Sequence, residues 1–319
     1  MKTKGKIITL TMLATATTGA IYIINKFRNL ADTVEDIFSH IDGEYYNWRF
    51  GKIFYTKQGS GKPILLIHDL NATSSHCEWN QIIEELSKTN TVYALDLLGC
   101  GKSDKPNLTY TNFLYVQLIN DFIKHIIEEK TDIMATSEAS AIAIMACSNN
   151  AELVNRIILV NPISPISLAK IPTKKSTIIR DLINLPIIGT LLYNILIRRT
   201  TITNDFRTKF FHNPGNVTDK IISTYLESSH IGDAHSKYLY ASIVSRYTNA
   251  NIMQALNHIN NSIYIIVGTG NPENILAADQ YQNELPAIEI ANIENAKLLP
   301  QLEVPKEFME QLSVFLETV

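Results

Sequence analysis

Six short runs rich in branched aliphatic residues recur along the chain, at Ile64–Ile67, Val92–Leu95, Ile133–Ala135, Ile157–Val160, Ile263–Val267 and Ile288–Ile293. Runs of this length without polar alternation suit strands buried on both faces, and the helix-patterned stretches between them imply parallel crossovers. Those stretches fall at Glu78–Ser87, Asn112–Glu129, Ala139–Cys147 and Pro305–Glu317. Upstream, Tyr45, Trp48 and Phe50, then Ile53, Phe54 and Tyr55, flank Gly51-Lys52 as a β-hairpin. The expected class is therefore α/β, a doubly wound and mostly parallel sheet. From Ser164 to about Asn261 the rhythm stops, and a helical pattern runs on without a strand. An all-helical insertion late in such a sheet is a lid. The chain divides into an N-terminal segment 1–28, a polar connector 29–43, a core of 44–164 and 260–319, and a helical lid at 165–259.

The N-terminal segment constrains location. Lys2, Lys4 and Lys6 precede an uncharged run from Ile7 to Ile24, and Lys26 and Arg28 follow it. As a helix the run spans roughly 27 Å, just short of a ~30 Å hydrocarbon core. It reads as a membrane anchor; the alternatives are a merely buried helix and a cleaved signal with Ala14-Thr15-Ala16 as its small-residue site, although the apolar stretch continues past that point to Ile24. Three lysines before the run against two basic residues after it place the domain on the extracytoplasmic side. A second apolar stretch, Ile178–Ile197, is interrupted by Pro186 and Gly189 and holds Arg180-Asp181, so a helix–turn–helix packed over a cleft is expected there.

Charge and motif arithmetic exclude several functions. The 319 residues carry 28 Lys+Arg against 31 Asp+Glu, a net charge of −3. With no basic block, phosphate neutralisation, and so nucleic acid, is not the business of this chain. Cys77, Cys100 and Cys147 are odd in number and form no C-x-x-C pair, which excludes a disulfide framework and a zinc knuckle. Gly59-Ser60-Gly61-Lys62 is no phosphate loop, because Thr56 replaces its first glycine and Pro63 its magnesium-binding hydroxyl. His230, Asp233 and His235 do not make up a catalytic zinc set, which needs three well-placed ligands. No cofactor and no metal are expected.

Two turns carry a family likeness. The run Ile64–Ile67 leads into His68-Asp69-Leu70-Asn71, and Val92–Leu95 leads into Asp96-Leu97-Leu98-Gly99-Cys100-Gly101-Lys102-Ser103. A strand followed by D-x-x-G-x-G-x-S resembles the α/β-hydrolase superfamily, especially its lidded esterase, epoxide-hydrolase and haloalkane-dehalogenase branch. The likeness runs from about Glu44 to the C-terminus. It implies a nucleophile elbow, G-x-S-x-G, which here falls on Ala135-Thr136-Ser137-Glu138-Ala139 with Ser137 in the nucleophile position. Alanine replaces both glycines and reaches positive φ only at a cost, so a relaxed or strained bend is expected. Ser137 could equally serve only as the N-cap of the next helix. A serine there excludes dehalogenase chemistry, which needs an aspartate.

The resemblance also shows what is missing. Its acid position holds Asn271, with Glu273 two residues late; its histidine position holds Leu298, and no histidine follows His258. Loss of the base alone removes on the order of 10⁶ in turnover, roughly 8 kcal/mol. The oxyanion N–H groups would be those of Glu138 and Leu70, or of Asp69, which replaces the family's glycine. Carboxylates at positions 69 and 138 disfavour a developing oxyanion. Two readings stand beside a third, a ligand-transport or scaffold role in which the cleft is filled. One is a membrane-anchored, catalytically impaired protein binding an apolar ligand or a partner. The other is a serine hydrolase of small esters or lipids, in which His68, with help from Glu273, replaces the lost base.

Overall fold

The computed structural model describes the backbone of residues 2–317 and the side chains of residues 15–316. Eight strands form one sheet: β1 (Glu44–Trp48), β2 (Gly51–Gln58), β3 (Lys62–Ile67), β4 (Asn90–Leu95), β5 (Thr131–Thr136), β6 (Val154–Val160), β7 (Ser262–Gly268) and β8 (Glu289–Ile293). Their spatial order is β1-β2-β4-β3-β5-β6-β7-β8. The β1–β2 and β2–β4 pairs are antiparallel, and every other pair is parallel. Successive residues of the central strands feed opposite cores: Leu65, Ile67, Ile133 and Ile157 on one face, Ile64, Leu66, Met134 and Ile158 on the other. Burial on both faces is why these runs show no polar alternation.

Helices cover both faces. Before the lid they are α1 (Lys2–Asp32), α2 (Ile83–Leu86), α3 (Asn112–Phe122) and α4 (Ala139–Asn149). The lid contains α5 (Pro165–Leu168), α6 (Lys174–Asn184), α7 (Ile187–Leu196), α8 (Arg199–Asp205), α9 (Asp219–His230), α10 (Lys237–Val244) and α11 (Met253–His258). After it come α12 (Pro272–Glu284), α13 (Pro300–Glu303) and α14 (Pro305–Glu317). The stretch expected as one helix over Glu78–Ser87 is instead a 3₁₀ turn, His76–Trp79, and the short α2. Its Glu78 and Trp79 are fully buried, as are Ile82 and Leu86.

The N-terminal boundary also moves. Helix α1 runs four residues beyond position 28, and a 3₁₀ turn at Ile37–His40 occupies the expected connector. Both dock on the lid. Asn25 Nδ2 donates to Ile187 O at 3.0 Å, Asn194 Nδ2 donates to Asn25 Oδ1 at 3.2 Å, and Lys26 pairs with Asp233 at 2.7 Å. The buried Glu227 carboxylate accepts the N–H groups of Ile37 and Phe38, both at 3.0 Å. Among the described residues no single helix is long and apolar enough to cross a membrane. The expected anchor, 7–24, falls partly on residues 7–14, outside the described side chains.

Helices α6 and α7 meet at a 105° bend. Leu185 precedes Pro186 and is forced out of the helical region (ψ 143°), which ends α6. The tightness of the bend depends on Gly189: a Cβ there would lie 2.0 Å from the Ile183 carbonyl oxygen. Gly189→Ala should therefore splay the α6–α7 corner and cost about 1–3 kcal/mol. Chemical denaturation with limited proteolysis of the lid checks this; an unchanged midpoint and cleavage pattern would contradict it.

Candidate active site

The site is framed by the turn after β4. Asp96 is fully buried, and its Oδ1 accepts the His76 N–H at 2.7 Å and pairs with His76 Nδ1 at 2.8 Å. Its Oδ2 accepts the Lys102 N–H at 2.7 Å. Burial works against a charged imidazole, yet the Asp96 carboxylate lifts His76 to about 10. Burial likewise opposes the Asp96 charge, and His76 beside it still holds that carboxyl below its usual range. This pair seats the His76–Trp79 turn under the end of β3.

That turn carries Glu78 into the interior. Its carboxyl oxygens face the Asp69 N–H at 3.2 and 3.3 Å, and Oε1 accepts from Gln301 Nε2 at 3.1 Å. Gln301 Nε2 also reaches Thr136 Oγ1 at 3.2 Å, so a residue of α13 supports the end of β5. Burial, reinforced by the negative charge of Asp69, pushes Glu78 up to about 8. Nothing in the sequence singled out Glu78 or Gln301, since neither lies in a motif.

Ser137 sits at the bend between β5 and α4 with φ +52°, and its N–H donates to Val160 O at 2.9 Å. Neither Ala135 nor Ala139 has a positive φ, so the cost expected of the alanines does not arise; the left-handed conformation falls on the serine itself. The hydroxyl does not cap α4, whose N-terminus carries no side-chain cap. It turns instead to Asp69.

Asp69 defines the site. Its Oδ1 accepts the Glu138 N–H at 3.2 Å. Burial pushes this carboxyl up to about 6, while hydrogen bonds from the Glu138 N–H, the Ser137 hydroxyl and the Leu70 N–H favour its charged form. One of the N–H groups assigned to the oxyanion pocket, that of Glu138, is thus engaged by a carboxylate of the protein. Glu138 itself is half-buried, and burial beside Asp69 pushes its carboxyl up to about 8.

The other sequence candidates lie elsewhere. His68 is fully buried with both ring nitrogens committed to backbone: Nδ1 lies 2.7 Å from Asp69 O, and Nε2 accepts the Leu97 N–H at 3.1 Å. Burial lowers its pKa to about 4, so the ring is neutral at physiological pH. The substitute-base role expected of His68 has no free nitrogen to perform it. Asn271 Oδ1 accepts the Glu273 N–H at 3.1 Å and caps α12, leaving Glu273 exposed in the helix's first turn. Glu273 therefore supplies no buried charge. Leu298 packs into the lid cluster of Phe206, Phe211 and Tyr225. Its backbone is fixed by Asn161, which was not anticipated: Nδ2 donates to Lys297 O at 2.7 Å and Leu298 O at 3.0 Å, and Oδ1 accepts the Gly268 N–H at 2.8 Å. Among the described residues no cluster of His, Cys, Asp and Glu has the geometry of a metal site.

The buried acids set the pH response. Glu78, Glu138 and His76 keep protons in the folded chain at pH values where the unfolded chain has lost them. Their contribution is complete below the unfolded pKa and is lost as pH rises through about 8 for the two glutamates and about 10 for the histidine. Asp69, pushed up to about 6, acts in the same sense and is half titrated there, and Lys105, lowered by burial to about 8, adds an opposing contribution only near and above that value. His68 acts in the opposite sense, but only below the ordinary histidine value near 6.5. Thermal stability should accordingly fall between pH 6.5 and 8, and Glu78→Gln, which mimics the protonated acid, should flatten the slope. Calorimetry across that range checks both.

Residues 62–187 match a family model described as the alpha/beta hydrolase fold. The 2-hydroxy-6-oxo-6-(2'-aminophenyl)hexa-2,4-dienoic acid hydrolase of Metapseudomonas resinovorans is 34% identical over 107 residues, 33% of this chain and 37% of that protein. The soluble epoxide hydrolase of Corynebacterium sp. (strain C12) is 27% identical over 112 residues, 35% of this chain and 38% of that one. The chain thus spans little more than a third of the length of these curated relatives. Among solved structures, a serine hydrolase involved in carbazole degradation superposes with TM-score 0.69 at 17% identity, covering 87% of this chain and 99% of that one. A membrane phospholipase A, described as a bacterial virulence factor, superposes with TM-score 0.67 at 18% identity over 98% of each chain. With its sheet order, the turn around Asp96 and the strand-to-helix bend at Ser137, the chain has the α/β-hydrolase fold, and residues 62–187 match that family's model.

Proposed function

We propose that this protein is a membrane-anchored α/β-hydrolase-fold protein whose serine is silenced, and that it binds an apolar ligand or a partner. The observation that carries this reading is the Asp69 carboxylate seated on the Glu138 N–H. Acyl transfer needs those donors free for the substrate carbonyl oxygen as it gains charge. Here an anion of the protein already sits on one of them. Removing a single oxyanion donor costs about 10²–10³ in turnover, and a serine without a base is a weak nucleophile. The two defects act on different parts of the reaction, so repairing one leaves the other.

A ligand has a place away from the serine. A cavity of about 730 Å³ lies between α1, the 3₁₀ turn and the end of α9, with Leu30, Phe38, Tyr45 and Ile231 among its walls and Lys26 and Lys102 beside them. Asp36, Glu227 and Asp233 also line it, so apolar walls with charges of both signs suit an amphiphile. The apolar run 7–24 supports membrane anchoring, with the domain on the extracytoplasmic side. So does the likeness to a membrane phospholipase A, which extends over 98% of this chain.

One observation favours the active alternative. The Asp69 carboxyl, seated at the Ser137–Glu138 bend, is pushed by burial to about 6, so Asp69 is the group from which a non-standard base would be made. The two readings separate cleanly. Under the silenced reading, a fluorophosphonate probe leaves Ser137 unlabelled. The Asn271→Asp, Leu298→His double variant stays inactive because Asp69 still fills the pocket, and adding Asp69→Gly raises ester cleavage by about 10² or more. Wild-type labelling that rises with pH through about 6 and is lost in both Ser137→Ala and Asp69→Asn would establish the alternative. The anchor predicts carbonate-resistant membrane association that is lost when residues 1–28 are deleted; carbonate-soluble full-length protein would refute it.

A further inference from the structure

The lid carries an apolar face directed away from the core. On α6 and α7, Ile178, Ile179, Leu182, Leu185, Ile188 and Ile195 are between 43% and 67% exposed. Monomeric surfaces seldom gather this many large aliphatic side chains on one corner without a partner. The corner is also bracketed by exposed cations, Lys170, Lys174 and Lys175 before it and Arg198 after it. Apolar side chains rimmed by lysine and arginine match the boundary between acyl chains and anionic headgroups.

The corner is fastened to the one helix that the sequence sends towards a bilayer. Asn25, immediately after the apolar run, bonds to Ile187 at the start of α7 and to Asn194 further along it. The exposed face of α1 continues the patch with Tyr22, Ile23, Ile24 and Phe27. If residues 7–24 lie in the hydrocarbon, the α6–α7 corner is held at its surface. Only together do α6 and α7 have the length and composition of a span; α7 alone has ten residues, roughly 15 Å of helix, and a 105° bend turns α6 away from its axis, which suits an in-plane corner.

We propose that the α6–α7 corner lies in the plane of an anionic bilayer surface, with its apolar side chains in the outer acyl region and its lysines at the headgroups. This rests on the membrane reading of α1 and adds a second, in-plane contact that would place the lid against lipid. A second copy of the chain fits less well, since the rim cations of two copies would face each other.

The test uses full-length Leu182→Trp and Ile188→Trp variants reconstituted into phosphatidylcholine/phosphatidylglycerol vesicles with brominated acyl chains. The native Trp48 and Trp79 are buried in the core and serve as the background. The expected result is blue-shifted emission that is at least halved by the brominated lipid, with no such change for Phe113→Trp on α3. Water-like, unquenched emission while the chain stays carbonate-resistant would overturn the in-plane contact and leave the anchor intact. Blue-shifted but unquenched emission would also overturn it, pointing to a protein surface over the patch. Release of the whole chain by carbonate would instead sink the anchor reading, and this proposal with it.

Discussion

The structure around the serine depends on one buried carboxylate, that of Asp96. An unpartnered charge in the interior is costly, and this one is held by two N–H groups and an imidazole. Its main chain is tied in as well: the Asp96 N–H donates to Phe54 O, and Asp96 O accepts Ser103 Oγ, which in turn takes the Phe54 N–H. The turn can close this tightly because residue 101 is glycine, at φ +46°, where a Cβ would lie 2.1 Å from Asp96 Oδ2. From this knot the consequences run in order. His76 is fixed, the 3₁₀ turn after it is fixed, Glu78 is driven inward, and the Asp69 backbone above it is pinned.

The same knot explains why neighbouring acids behave differently. Asp96 keeps its charge because it faces a cation and N–H donors. Glu78 and Glu138 lack a cation and are pushed up by burial beside another acid. Asp69 stands between these limits, buried but supplied with the N–H groups that the fold provides for an oxyanion. An oxyanion pocket is in physical terms an anion site, and an aspartate in place of glycine on the adjacent turn satisfies it from within.

Much of this was legible in the sequence, and the part that was not has a common cause. The strands could be read because burial on both faces leaves a purely aliphatic signature. The turn from Asp96 to Ser103 could be read because a D-x-x-G-x-G-x-S spacing admits few other structures. The absences at Asn271 and Leu298 follow from register alone. Side-chain direction does not. Asp69 stood out as a misplaced acid, but whether it pointed to solvent or into the pocket depends on Glu78 and on the bend at Ser137, some nine and sixty-eight residues away. His68 looked available as a base because a sequence does not reveal that Leu97 N–H and Asp69 O already occupy its two nitrogens. The α1–lid contacts were hidden for the same reason, being single asparagines and one glutamate in segments without a motif.

Those contacts decide how the lid can behave. Ser137 is 3% exposed, so a molecule reaches it only if the lid is displaced. The exposed Lys26–Asp233 pair would resist that weakly, since solvent-screened ion pairs contribute about 0–1 kcal/mol. Glu227 is a stronger tie: it is buried, and both its oxygens accept backbone N–H groups from the turn following α1. Charge-assisted bonds in that setting are roughly twice as strong as neutral ones, and an opened lid would strand the carboxylate. Lid and N-terminal helix therefore move together or not at all. Whatever fixes α1 also fixes the cover over the serine, so burial of Ser137 and docking of α1 are two consequences of one set of bonds.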